Sequence, residues 1–249
     1  MMNSKNGTKP WEKHVFPVIP KTKAFVLPGA FYGQCVLLMT AAGYSRADSV
    51  DEADVVVFIG GADINPALYG HKNVASGFND QRDAYEVSVY EEAVKKKKVL
   101  FGICRGAQFL HAMNGGTLWQ DVNGHAGHPH EIVDLDEDVT VMATSLHHQM
   151  LQDNDTLEVL AVTNKQVATR FRDADMVMEI TKAGVDSDDS EIEIEAGCYH
   201  ATKSFFVQGH PEVGSVFYQT WTMTKLYDLM NEWRSAEELK NVVTKMEIN

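Results

Sequence analysis

The chain has 249 residues, 44% of them hydrophobic, and a formal net charge of −13. That length suffices for one large α/β domain with a well-buried core, and so acidic a surface argues against nucleic acid as a direct partner, because phosphate binding needs clustered lysine and arginine. The polar first ten residues hold no signal-peptide core, no apolar stretch is long enough to span a bilayer, and three cysteines do not suggest a disulfide framework, so a soluble, cytoplasmic protein is expected.

Residues 1–20 read as a loosely ordered arm ahead of a single domain over 21–249. Lys23 to Leu27 is a short apolar strand closed by Pro28-Gly29. Gly33 to Ala42 reads as a helix stopped by Gly43. Asp54 to Ile59 is an apolar run of strand length, as expected for a strand buried on both faces. Asp80 to Lys97 has helical composition, and Lys95-Lys96-Lys97-Lys98 at its end complements the negative pole of the helix dipole. Val99 to Ile103 is the next buried strand. This alternation predicts a parallel, doubly wound sheet. Such sheets bind ligands at the carboxyl ends of their strands, where Gly60-Gly61 and Cys104 fall.

After Asn123 the pattern changes. Glu131 to Val141, Leu157 to Val162 and Met176 to Ile180 read as strands with little helix between them, an antiparallel part returning to the sheet through Ser204 to Gln208. Thr181 to Thr202 is acidic, and Glu191-Ile192-Glu193-Ile194-Glu195 alternates. It reads as a hairpin or flap with one apolar face, or as a solvated acidic loop. Val216, Thr220, Met223, Tyr227 and Met230 recur at helical spacing and predict a long amphipathic helix. A short helix is expected to restart at Ser235 as its cap.

Two stretches carry chemistry. In Phe101-Gly102-Ile103-Cys104-Arg105-Gly106-Ala107-Gln108, a cysteine stands between glycines where a strand gives way to a helix, the pattern of a nucleophile elbow. A helix N-terminus favours the thiolate, which is the attacking species. A lone cysteine is more often a small core residue, but Phe205 to Glu212 supplies partners. In extended backbone His210 and Glu212 share a face, and Pro211 marks the point where the chain leaves the sheet. A thiol, a base for its proton and a carboxylate to orient the base form a coherent set.

These two stretches together resemble the class I glutamine amidotransferase superfamily, and most closely its γ-glutamyl-γ-aminobutyrate hydrolase-like (peptidase C26) branch. Val56 to Gly70, Arg82-Asp83-Ala84-Tyr85-Glu86 and Ser145-Leu146-His147-His148-Gln149 resemble further segments of that branch, in its order. The resemblance implies a three-layer, doubly wound, mostly parallel α/β sheet of flavodoxin-like type with an antiparallel β-rich extension. It implies Cys104 as nucleophile, His210 as base and Glu212 as its orienting carboxylate. Gly61 and Arg105 would supply main-chain N–H groups to an oxyanion hole, and Gln108, Ser145 and His147 would hold the substrate. The Arg105 side chain would serve only as an ion pair. Where the family often has tryptophan before the histidine this chain has Gly209, which is expected to open one wall of the pocket.

The implied reaction cuts the γ-amide of glutamine or of a γ-glutamyl amide through a thioester, with no cofactor. His125, His128 and His130, with His147 and His148, make a histidine-rich region, but the first three lie in a loop bearing glycine and proline with no fixed face, and neither HExxH nor paired CxxC is present. No metal is therefore expected. The partners implied are a small γ-glutamyl substrate and, in a second reading, a separate ligase or synthetase receiving ammonia, because no Gly-rich phosphate loop with Lys-Ser/Thr is present. Homo-oligomer formation stays open. A third reading is an inactive binding module on the same fold.

Overall fold

Parallel strands must be joined by crossovers, and the first half of the chain supplies them as helices. The computed structural model describes residues 22–174, 176–180 and 192–247, with side chains through residue 240. The expected arm and residues 181–191 of the acidic stretch lie outside the described residues. The order begins β1 (Lys23–Val26), α1 (Tyr32–Ala41), β2 (Ser45–Arg46), β3 (Val55–Phe58), α2 (Asp80–Lys95), β4 (Val99–Ile103) and α3 (Arg105–Met113). There follow β5 (Leu118–Trp119), β6 (Asp121–Val122), β7 (His130–Asp134), β8 (Val139–Ala143), β9 (Met150–Leu151), β10 (Glu158–Thr163), β11 (Arg170–Asp173), β12 (Met176–Glu179) and β13 (Ile194–Tyr199). The chain ends in β14 (Ser204–Val207) and α4 (Val216–Glu247).

Among the described residues, nine strands form the main sheet in the order β2-β1-β3-β4-β14-β13-β10-β7-β8. The first five are parallel, and β13, β10, β7 and β8 continue antiparallel. Pairing of β14 with β4 places Phe205 opposite Phe101, with rings stacked 5.5 Å apart. The strands are buried on both faces, so alternate residues serve two cores. Val55, Val57, Phe101 and Phe205 pack with Leu38 of α1 and Met223 of α4. Val56, Leu100 and Phe206 pack on the other face with Tyr90 of α2 and Phe109 of α3. Helix α4 is also pinned to β7, where the Trp221 indole donates to Asp134 at 2.8 Å and Lys225 pairs with the same carboxylate at 2.9 Å. This is the α/β architecture expected, a parallel centre with antiparallel extensions.

Three details differ. Glu131 to Val141 is a hairpin, β7 and β8, rather than one strand. The Asp134 carboxylate accepts from the main-chain N–H of Asp136 and Glu137, and Asp138 adopts a φ of 52°, a turn that apolar periodicity passes over. Ser235 does not cap a new helix. It lies inside α4, and its hydroxyl donates to the Asn231 carbonyl at 2.9 Å, the bond a serine makes within a helix. The alternating segment is no flap over its described part. Ile194–Tyr199 is β13, buried along its whole length, while Ile192 is exposed. Glu193 and Glu195 point inward, and the fold satisfies Glu193, which accepts from Thr163, Val167, Ala168 and His125.

Candidate active site

The carboxyl ends of β3, β4 and β14 are neighbours, so the chain leaving each strand enters one crevice. At the end of β4, Cys104 stands before α3 with φ 54° and ψ −110°, a conformation L-residues avoid. Its N–H is fixed by the Val207 carbonyl of β14 at 2.9 Å. The flanking glycines are there for space. A Cβ at Gly102 would lie 2.7 Å from the Gly106 carbonyl oxygen, and one at Gly106 would lie 2.1 Å from that of Phe58. Strand and helix therefore approach too closely for any side chain at either position.

At the end of β14, His210 and Glu212 are both buried, and His210 Nδ1 lies 2.7 Å from Glu212 Oε1. Burial works against a charged imidazole here. Hydrogen bonds to Cys104 and Glu212, and the charges of both, outweigh it and raise the pKa of His210 to about 10. The structure thus brings the three predicted side chains together. Cys35 and Cys198 are also free and buried, and burial pushes both thiols well above the ordinary range.

Gly61 follows β3 with a φ of 147°, and the edge of Arg82 fills the space beside it, 2.0 Å from where a Cβ would stand. Arg82 donates to the carbonyls of Ile59 at 2.8 Å and Gly60 at 3.1 Å, and its Nε donates to Glu86 at 2.8 Å. Glu86 and Asp83 in turn pair with the buried Arg105 guanidinium, which lies over the Phe109 ring. One turn of α2 therefore couples the two main-chain segments expected to face an oxyanion. The Arg105 side chain is an ion-pair partner, as expected. The only local sign of the positioning part of Arg82 is the glutamate four residues on, the spacing of a helical ion pair.

Gln108 is buried, with its Nε2 3.4 Å from Gln208 Oε1. Ser145 and His147 are buried as well. His147 Nδ1 bonds the Gln149 carbonyl at 2.8 Å, and its Nε2 faces Glu195 at 3.7 Å. Two contributors have no local sequence signal. The Thr144 hydroxyl accepts from His210 N–H and donates to the His210 carbonyl, each at 2.8 Å. Tyr218 of α4 fills the space beside Gly209, where a Cβ would meet its hydroxyl at 2.6 Å and the Thr144 carbonyl at 2.5 Å. The wall expected to be open at Gly209 is thus closed from behind by a phenol. Gly209→Ala is expected to cost about 1–3 kcal/mol of stability, measured by urea unfolding. A loss inside the scatter of replicate titrations would show that Tyr218 and Thr144 yield freely.

Residues 6–212 match the family model described as Peptidase C26. The chain is similar to Protein NtpR of Enterococcus hirae, 30% identical over 205 residues, which span 73% of this chain and 76% of that one. It is also similar to the carbamoyl phosphate synthase small chain of Xanthomonas campestris pv. campestris, 31% identical over 128 residues, which span 51% of this chain but 28% of that one. The fold is like that of a glutamine amidotransferase of Thermotoga maritima, with a TM-score of 0.50 and 13% identity over 89% of this chain and 92% of that one.

Proposed function

Because this chain belongs to the peptidase C26 family of class I glutamine amidotransferase-like proteins, we propose that it hydrolyses the γ-amide bond of glutamine or a γ-glutamyl amide, with residues 21–249 acting as one domain. The observation that carries this reading is the imidazole of His210 held between a glycine-bracketed cysteine and a carboxylate.

His210 takes the Cys104 proton, and the sulfur attacks the γ-carbonyl carbon. The main-chain N–H groups of Gly61 and Arg105 receive the oxyanion, each worth about 3 kcal/mol in the transition state. As the tetrahedral species collapses, the C–N bond breaks and the amine leaves with the proton from His210. Water, deprotonated by the same imidazole, then releases glutamate and restores the thiol. Glu212 accepts from Nδ1 throughout and stabilises the imidazolium. Gln108, Ser145 and His147 are assigned to the amino-acid end of the substrate.

A diazoketone analogue of glutamine should alkylate this protein once, at Cys104, as read by peptide mass. Burial keeps Cys35 and Cys198 as thiols, so modification there in place of Cys104 would overturn the assignment. The purified chain should also release amine from small γ-glutamyl amides without a partner. The similarity to a carbamoyl phosphate synthase small chain supports a second reading, in which ammonia passes to a separate ATP-dependent ligase. Silence of the isolated chain, relieved by a co-encoded ligase, would favour it.

A further inference from the structure

Three histidines, two of them with no part in the proposed reaction, converge on one carboxylate. His130 Nε2 lies 2.9 Å from Glu195 Oε1, His125 Nδ1 lies 3.6 Å from it and His147 Nε2 lies 3.7 Å from it. The His125 ring is 4.8 Å from that of His130 and 4.7 Å from that of His147. His125, His147 and Glu195 are at most 3% exposed. Yet His125 Nδ1, His147 Nε2 and Glu195 Oε2 have no hydrogen-bond partner, a state that buried polar atoms rarely tolerate.

The outer nitrogen of each ring explains what the inner ones present. His130 Nδ1 bonds the His128 carbonyl at 3.1 Å, and His147 Nδ1 bonds the Gln149 carbonyl at 2.8 Å. A carbonyl only accepts, so both nitrogens carry the proton. His125 Nε2 faces Glu193 Oε1 at 3.2 Å, and that carboxylate already accepts from three other donors. Here too the ring nitrogen donates. In a neutral ring the opposite nitrogen then holds a lone pair. With all three rings neutral, three lone pairs would face one carboxylate oxygen in a buried space. A proton on His130 Nε2, bonded to Glu195 Oε1 at 2.9 Å, relieves one of them. The lone pairs of His125 and His147 still face it with no donor between, a repulsive arrangement that a cation removes. Outer hydrogen bonds to carbonyl or carboxylate are also how metal-binding histidines are oriented. The three nitrogen-to-oxygen distances bracket the roughly 3.4 Å between neighbouring ligands of a tetrahedron with zinc–nitrogen bonds of ordinary length.

We propose that His125, His130 and Glu195, whose ligand atoms all lie within 4.8 Å of one another, bind one divalent transition-metal ion, with His147, 3.7 Å from the same carboxylate, moving in as the fourth ligand. Zinc is the best match to imidazoles and a carboxylate. Nitrogen-rich donors disfavour magnesium and calcium, and burial leaves no open position for chemistry, which makes the site structural. Its ligands come from the 124–130 loop, the 145–149 segment and β13. The ion ties these together beside Thr144, which holds His210, and beside Gln208, whose N–H donates to the Glu195 carbonyl at 2.8 Å. The site shares His147 with the substrate contacts assigned above and needs no other residue of the amidase reading. With the ion bound, neither His147 nitrogen is free for substrate, and that end of the substrate falls to Gln108 and Ser145.

The test uses the full chain, stripped with a chelator and reloaded with zinc chloride or cobalt chloride. About one equivalent of zinc per chain should survive gel filtration and raise the melting temperature. Cobalt should give the absorption bands of a tetrahedral ion without a thiolate charge-transfer band. That spectrum needs no variant and excludes both Cys104 and the other grouping of metal-ligand residues among those described, Glu158, Cys198 and His200. His125→Gln and Glu195→Gln should lose the ion, and Cys104→Ser and Cys198→Ser should keep it. Absence of stoichiometric zinc in the reloaded wild type, a thiolate band, or retention by well-folded Glu195→Gln each overturns the proposal.

Discussion

Glu212→Gln is expected to lower kcat toward a small γ-glutamyl amide by about four orders of magnitude while leaving the fold intact, by analogy with amide replacement of the orienting carboxylate in other triads. The glutamine keeps the shape but removes the charge that His210 Nδ1–H faces at 2.7 Å. The pH profile should move with it. Burial opposes the imidazolium of His210, and its bonds to Cys104 and Glu212 override this to give a pKa of about 10. The alkaline limb of the wild-type profile should therefore lie near that value, and in the variant it should shift toward the ordinary histidine value of about 6.5. A raised folded-state value stabilises the native protein fully below the unfolded pKa of about 6.5. That contribution fades as the pH climbs through the folded value. Steady-state rates from pH 5 to 10.5, with circular dichroism as the control, decide the matter. A variant within tenfold of wild type, or an unmoved alkaline limb, would remove Glu212 from the mechanism.

Arg105→Leu should be the most damaging single change to stability away from the sulfur and imidazole. The guanidinium is 1% exposed and pairs with two acids that are themselves buried, Asp83 and Glu86. Removing one partner of a buried ion group costs about 3–5 kcal/mol, because the remaining charge is uncompensated. Arg82 still reaches Glu86, so Asp83 is the residue left exposed to this penalty. The added change Asp83→Asn should restore much of the loss, and a double-mutant cycle in urea measures the coupling. Additive effects of the two changes would show that the ion pair contributes nothing beyond its packing. The proposed labelling of Cys104 offers a second readout. If α2 aligns the elbow with the Gly60-Gly61 turn through Arg82 and Glu86, alkylation should slow even where the variant is folded.

The parallel half of the sheet was legible because its signals are local. An apolar run buried on both faces, a glycine stop and a glycine-bracketed cysteine are each contained in a few residues. The pairing of Cys104 with His210 and Glu212 also followed, since His210 and Glu212 sit two residues apart on one strand exit and the elbow declares its own geometry. What failed in the second half failed for a shared reason. Apolar period alone could not see the turn between β7 and β8, which rests on a carboxylate capping main-chain N–H groups. Nor could it tell that Glu193, just before β13, and Glu195 within it are buried, because their hydrogen-bond partners lie on segments up to 68 residues away.

Sequence by itself determined which side chains stand at the strand exits and which strands deliver them, since residue type and strand-to-helix transitions are written within single turns of chain. Tertiary structure alone decided their setting. The anchoring of His210 by Thr144, the phenol behind Gly209, the arginine bracing the Gly60-Gly61 turn and the meeting of three histidines at Glu195 are contacts between segments far apart in the chain. The arginine's contact comes from α2 packing beside β3; the others exist because packing the antiparallel extension and α4 against the parallel sheet forced buried polar groups to find partners across the fold, and no local pattern encodes that pairing.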